Sequence, residues 1–121
     1  MKTNTQNPIS VLLHNRESAR EKGIYSCCSA NAYVIRAALR RAKAEKTVVL
    51  VEATANQVNQ NGGYTGMTPK DFRHFLNQIA TEEGFPANRL LCGGDHLGPL
   101  TWQNLPEMQA MPNAEELIRS Y

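Results

Sequence analysis

No run in this 121-residue chain approaches the ~18 consecutive apolar residues that cross a bilayer, and its opening "MKTNTQNPIS" holds no apolar stretch of signal-peptide length. A cytoplasmic chain with no membrane partner is expected. Nor does a GxGxxG or a GxxxxGKS/T follow its first strand-like run, which removes the main sequence support for a nucleotide-binding open sheet. Cysteine is scarce: Cys27, Cys28 and Cys92 are an odd number, two of them adjacent, and they form neither a complete disulfide set nor the CxxC pairs of a zinc site. All three fall in strand-like runs and are expected to pack as small core hydrophobes in a reducing compartment. An excess of one charge sign is also missing, since the formal net charge is only +2. The basic stretch "RAALRRAKAEK" (Arg36 to Lys46) has no aromatics among its cations and no recognition motif beside it, so no nucleic-acid partner is expected. Those cations fall in the last turns of a predicted helix, where they complement the helix dipole and face water. With no internal repeat, and with 41% hydrophobic residues, what remains is one globular unit with a modest core.

The hydrophobic periods divide that unit into helices and strands. "PISVLLHNRESAREK" (Pro8 to Lys22) sets Ile9, Leu12, Leu13 and Arg16 near one helical face, with Gly23 as its stop. "GIYSCCS" (Gly23 to Ser29) reads as a strand, and Ser29 as the N-cap of the helix after it. In that helix Ile35, Ala38, Leu39 and Ala42 make one apolar stripe. "TVVLVEAT" (Thr47 to Thr54) is a β-branched run without alternation, as in a parallel strand covered on both faces, and only Glu52 breaks it. After the polar loop "ANQVNQNGGYTGM", "TPKD" opens a helix with Thr68 as N-cap, Pro69 at its first position and Asp71 closing a capping box. Phe72, Phe75, Leu76 and Ile79 form its buried stripe, Gly84 and Pro86 end it, and Leu90 to Gly94 makes a third strand. A loop follows Pro99, and "NAEELIRSY" closes the chain as a short helix. A leading helix followed by three β–α units predicts a parallel α/β fold, either an open sheet or part of a barrel.

In such folds chemistry gathers at the C-terminal ends of the strands. Glu52 lies at the end of the second strand, Asn56, Gln57, Asn59, Gln60 and Asn61 just past it, and Asp95 and His96 just past the third. Asp95 fits a general acid or base, or equally a turn-forming Asp between glycines. His96 fits a metal ligand or a hydrogen-bonded loop histidine. Glu52 fits a proton-transfer group or a strand-end acid satisfied by its neighbours. Gly62, Gly63 and Gly66 would let backbone approach a substrate or would supply turns, with Asn56 and Gln57 as positioning amides. His14 and His74 fall on helices away from the strand ends, and one histidine does not make up the three protein ligands of a catalytic zinc.

Two long motifs, "VEATANQVNQNGGYTGMTPKDFR" and "GGDHLGP", together with "GIYSCCSANAYVIRAAL", resemble the N-terminal third of the GatZ/KbaZ family, the non-catalytic subunits of class II D-tagatose-1,6-bisphosphate aldolase. The resemblance implies a TIM barrel, represented here by a leading helix and about three β–α units in a single partial barrel domain spanning residues 1–121. It also implies a stabilising role toward a catalytic subunit (GatY/KbaY-like) that cleaves tagatose 1,6-bisphosphate to glycerone phosphate and glyceraldehyde 3-phosphate, in galactitol or N-acetylgalactosamine catabolism. By position, Asp95 and His96 match the proton-transfer Asp and first zinc-ligand His of the catalytic class II enzymes. No cofactor is demonstrable from the chain itself, and zinc is implied only for the family's complex. Two alternatives stand beside this: a metal-dependent aldolase or ketohexose 4-epimerase in its own right, and a remnant without function. A TIM barrel needs eight strands and about 250 residues, and unclosed apolar strand edges invite association. The chain alone is therefore expected to be unstable, homo-oligomeric or partner-dependent; a sharp, cooperative, monomeric transition in a thermal melt followed by light scattering would contradict this.

Overall fold

The computed structural model describes residues 9–10 and 23–121. Ile9 and Ser10 are helical, and the rest of the helix expected over Pro8 to Lys22, with His14, lies outside the described residues. The elements that follow are β1 (Ser26–Cys28), α1 (Ala32–Glu45), β2 (Val49–Thr54), α2 (Pro69–Glu82), β3 (Leu90–Asp95) and α3 (Glu107–Ser120). One-turn 3-10 helices, Ala87–Arg89 and Pro99–Trp102, flank β3. The three strands form a parallel sheet in the order β1–β2–β3, with Cys28 opposite Glu52 and Glu52 opposite Gly93. No helix among the described residues is long and apolar enough to cross a membrane.

Strand alternation divides the sheet into two faces. Val49, Val51 and Ala53 of β2 are fully buried against Ile35, Leu39 and Ala42 of α1 and Phe72, Leu76 and Ile79 of α2. Each large side chain enclosed there contributes about 1.5–3 kcal/mol of apolar burial. The opposite face carries Leu50, Glu52 and Thr54, all only half-buried. The expectation that β2 is covered on both sides thus holds for one face of the described residues.

Local chemistry explains the element ends. Thr68 and Asp71 form the expected capping box, with Pro69 opening α2. After Glu83 the chain turns left-handed at Gly84 (φ 59°), and the Phe85 N–H reaches back to the Ala80 carbonyl at 2.8 Å. The N-cap of α1 is Asn31 rather than Ser29: Asn31 Oδ1 accepts from the Tyr33 N–H at 2.9 Å. Ser29 is still held to the sheet by its N–H to the Glu52 carbonyl at 3.0 Å, so the helix starts two residues later than its hydroxyl suggested. The strand expected over Gly23 to Ser29 shrinks to three residues. The last helix is longer than expected, because Pro112 sits inside it instead of before it. Proline removes one helical hydrogen bond, while Ala110, Ala114 and Leu117 stay buried on either side and keep the helix whole.

The cations of α1 do not simply face water. Arg36, Arg40 and Lys43, spaced four and three apart, form one stripe against the last turn of α2. Arg36 pairs with Glu82 and, at 3.0 Å, with Glu83. Arg40 reaches both oxygens of Glu83, at 2.7 and 3.0 Å, and Lys43 Nζ donates to the Glu83 carbonyl at 2.7 Å. These bonds, Arg40's first, draw the Glu83 carboxyl from 4.5 down to about 2. A depressed carboxyl contributes stability above its unfolded value and loses it as pH falls toward the folded one. Protection of the α1 and α2 amides, their exchange rate relative to the intrinsic rate at each pH, is therefore expected to fall between pH 4.5 and about 2, and Glu83→Gln should abolish that pH-dependent part.

Candidate functional site

Polar side chains cluster on the open face of the sheet, toward the C-terminal ends of the strands. Residues opposite one another in a parallel register share a face, which places Ser26 and Cys28 of β1, Glu52 and Thr54 of β2, and Asp95 of β3 together. The Ser26 hydroxyl donates to Glu52 Oε2. The Cys28 thiol donates across the central strand to Asp95 Oδ2 at 3.3 Å. Asp95 Oδ1 lies 3.7 Å from His96 Nε2, whose ring is largely exposed. The structure thus brings Glu52, Asp95 and His96 to one rim, and adds Cys28, which was expected in the core. Strand position alone did not give Cys28 its face; that required the register of β1 on β2.

The sequence "GGDHLG" builds this rim through what it leaves out. A methyl group on Gly93 would stand 3.2 Å from Glu52 Cγ, so the missing side chain makes room for that carboxylate. One on Gly94 would strike Leu97 at 2.6 Å, so Leu97 folds back over the other face. His96 takes a left-handed backbone (φ 52°), uncommon for a residue with a side chain, and its carbonyl accepts from the Gly98 N–H at 2.8 Å. That turn points the chain away from the sheet into an apolar groove of about 660 Å³ lined by Leu97, Leu100, Leu105 and Met111, with His96 at its edge.

The loop between β2 and α2 is held mainly by its own amides. Asn59 is buried; its Nδ2 donates to the Ala55 carbonyl at 2.8 Å, and its Oδ1 accepts from the N–H groups of Asn61 (2.9 Å) and Gly63 (3.1 Å). Gln57 Oε1 accepts from the Thr54 N–H at 2.8 Å. Gly62 is buried, and Gly63 (φ 53°) presses so closely on the Gln57 carbonyl that a methyl would come within 2.3 Å. Gln57, Gly62 and Gly63, read from the sequence as substrate-positioning candidates, therefore shape the loop's backbone. Asn56 is exposed beside the rim and accepts from the Thr101 hydroxyl at 3.0 Å. Gln60 Nε2 ties the loop to the Asn113 carbonyl of α3 at 2.9 Å.

The thiols split by environment. Cys27 packs half-buried against the core, whereas Cys28 and Cys92 are exposed, which corrects their expected burial: Cys28 lies on the open face, and Cys92 on the edge strand β3. Desolvation, then the bond to Asp95 and the charges of Asp95 and Glu52, push the Cys28 thiol up to about 11. It is a protonated donor and not a nucleophile. His74 lies exposed on α2, far along the chain from the rim. Among the described residues no three His, Cys, Asp or Glu side chains form a group able to hold a metal ion. Catalytic zinc takes three protein ligands, so Asp95 and His96 do not make up its set.

The family of the D-tagatose-1,6-bisphosphate aldolase subunit GatZ/KbaZ-like matches this chain over residues 9–121. The crystal structure of a probable tagatose 6 phosphate kinase from Sinorhizobium meliloti 1021 is similar to it, with a TM-score of 0.80 and 56% identity over 83% of this chain and 26% of that one. The chain spans about a quarter of that protein's length.

Two glycines of the amide loop separate backbone strain from steric exclusion. Gly66 (φ 78°) has open space where a methyl would go, while Gly63 does not. Gly66→Ala is expected to cost about 1 kcal/mol of loop stability and Gly63→Ala clearly more; protection of the Asn61 and Gly63 amides from hydrogen exchange measures both.

Proposed function

The chain belongs to the GatZ/KbaZ-like family of D-tagatose-1,6-bisphosphate aldolase subunits, and on that premise we propose that it is a non-catalytic subunit that stabilises a catalytic aldolase partner acting on tagatose 1,6-bisphosphate. The family match over residues 9–121 carries this reading. The names of the family and of the Sinorhizobium protein share a phosphorylated tagatose, which supports that substrate class. We read residues 1–121 as one partial (β/α) barrel domain, with β1 to β3 as consecutive barrel strands and the open face of the sheet turned to the barrel's interior.

The geometry suits a supporting role. Glu52 and Asp95 accept from donors of their own chain, Ser26 and Cys28. Among the described residues, the outer edges of β1 and β3 and the half-buried face with Leu50 and Leu91 offer unpaired backbone and apolar surface to a neighbour. A partner that binds only the folded catalytic subunit lowers the population of its unfolded form, which lengthens its working life without any chemistry of its own. Zinc, in this reading, belongs to the partner.

One observation favours a second reading, in which the rim itself binds or transforms a ketose phosphate: Glu52, Asp95 and His96 gather at the C-terminal ends of adjacent strands, where parallel α/β folds place their sites. The half-life of retro-aldol activity of the catalytic subunit, with and without this chain co-expressed, tests the first reading by counting triose phosphate released. A longer half-life that survives His96→Ala is expected. Activity of this chain alone that is lost on His96→Ala would replace the first reading with the second.

A further inference from the structure

We propose that Cys28 is a positioning residue for Asp95, donating from across the sheet so that the carboxylate is fixed with one oxygen turned to a hydroxyl-bearing ligand at the rim. This rests on the second reading of the rim as a binding site.

Three observations converge on it. Cys28 and Asp95 come from the two outer strands, with β2 between them, and yet Sγ and Oδ2 stand 3.3 Å apart. Both side chains therefore lean over the central strand toward each other. The contact occupies Oδ2 and leaves Oδ1 on the side of His96, 3.7 Å from its Nε2. A carboxylate with one oxygen engaged and the other beside an imidazole is a directed acceptor, suited to a hydroxyl group.

The same strand repeats the device. Ser26, two residues earlier on β1 and on the same face, donates to Glu52. β1 thus supplies an alternating pair of donors, a hydroxyl and a thiol, to a pair of carboxylates on β2 and β3. The thiol suits the longer span, because sulfur is larger and its bonds reach further than those of oxygen. Its raised pKa keeps the proton on sulfur through the physiological range, so the donor persists.

Asp95 needs such a hold. It ends its strand, the next residue leaves in a left-handed turn, and Gly93 and Gly94 before it offer no side chain to lean on. Among the described residues of the sheet, Cys28 is the donor to the Asp95 carboxylate.

The test uses the full chain with D-tagatose 6-phosphate as the probe. Infrared difference spectra of the parent against Cys28→Ser isolate the Cys28 S–H stretch, which is expected at the lowered frequency of a bonded thiol and should rise to that of a free thiol in Asp95→Ala. Probe binding by calorimetry should weaken about three- to tenfold in Cys28→Ala, the scale of one lost hydrogen bond, and recover only in part in Cys28→Ser, whose hydroxyl reaches less far toward Asp95. In an Asp95→Ala background, Cys28→Ala should have no further effect, because the two act as one unit. A thiol band that ignores Asp95→Ala, or additive losses in the cycle, overturns the proposal. If the parent binds no probe, the rim reading fails, and the infrared band alone decides whether Cys28 holds Asp95.

Discussion

Everything in this structure is referred to β2, the one strand among the described residues with a neighbour on each side. Its alternation assigns Val49, Val51 and Ala53 to the helices and Leu50, Glu52 and Thr54 to the open face. The pairing on either side then assigns faces to β1 and β3 residue by residue. A slip of one residue in either pairing would turn its whole strand over. It would send Cys28 or Asp95 to the helix face and bring Cys27 or Gly94 to the rim. Burial on the helix face prevents that slip for β2, because its three small or β-branched side chains are fully enclosed there. The rim is therefore specified by the hydrophobic contacts behind it.

Two further restraints keep that reference in place. The Arg36, Arg40 and Lys43 stripe closes on Glu82 and Glu83 and fixes how α1 lies beside α2. Exposed ion pairs are individually weak, but the bidentate Arg40 pair and the shared Glu83 make these a network with one geometry. At the other end of the helices, the Asn59 amide folds the loop after β2, and Gln60 fastens that loop to α3. One restraint acts at the base of the sheet's helical layer and the other near the rim, so the two are complementary.

Much of the fold was legible in the sequence because the signals were local. The capping box at Thr68 and Asp71, the stop at Gly84, the β-branched run of β2 and the α1 stripe all depend on residues within a few positions of one another, and all four lie where the sequence put them. The departures have long-range causes. Ser29 has the chemistry of an N-cap but is held by β2, so Asn31 takes the role. Pro112 has the chemistry of a helix stop but is outweighed by burial of Ala110, Ala114 and Leu117. The basic stripe of α1 carries no sign, in its own residues, of the two glutamates forty or more positions away that take it up.

The rim shows the same division more sharply. Asp95, His96 and Glu52 were legible as odd polar residues at strand ends, and the register brings them together. Cys28 was not legible, since a cysteine in a strand-like run carries no label for its face, and the partner that gives it a purpose is 67 residues away. Gly93 and Gly94 were legible as part of the third strand, and they lie inside it, but the sequence carried no sign of why that strand leaves out two side chains. Their contribution is volume: one yields space to Glu52 and the other to Leu97, on opposite faces of the same strand. A strand pays for such gaps in β-propensity, and β3 has only one neighbour to make up the difference. An edge strand therefore carries the Asp–His pair, and its geometry is only as firm as its pairing with β2 and the donor that reaches Asp95 from β1.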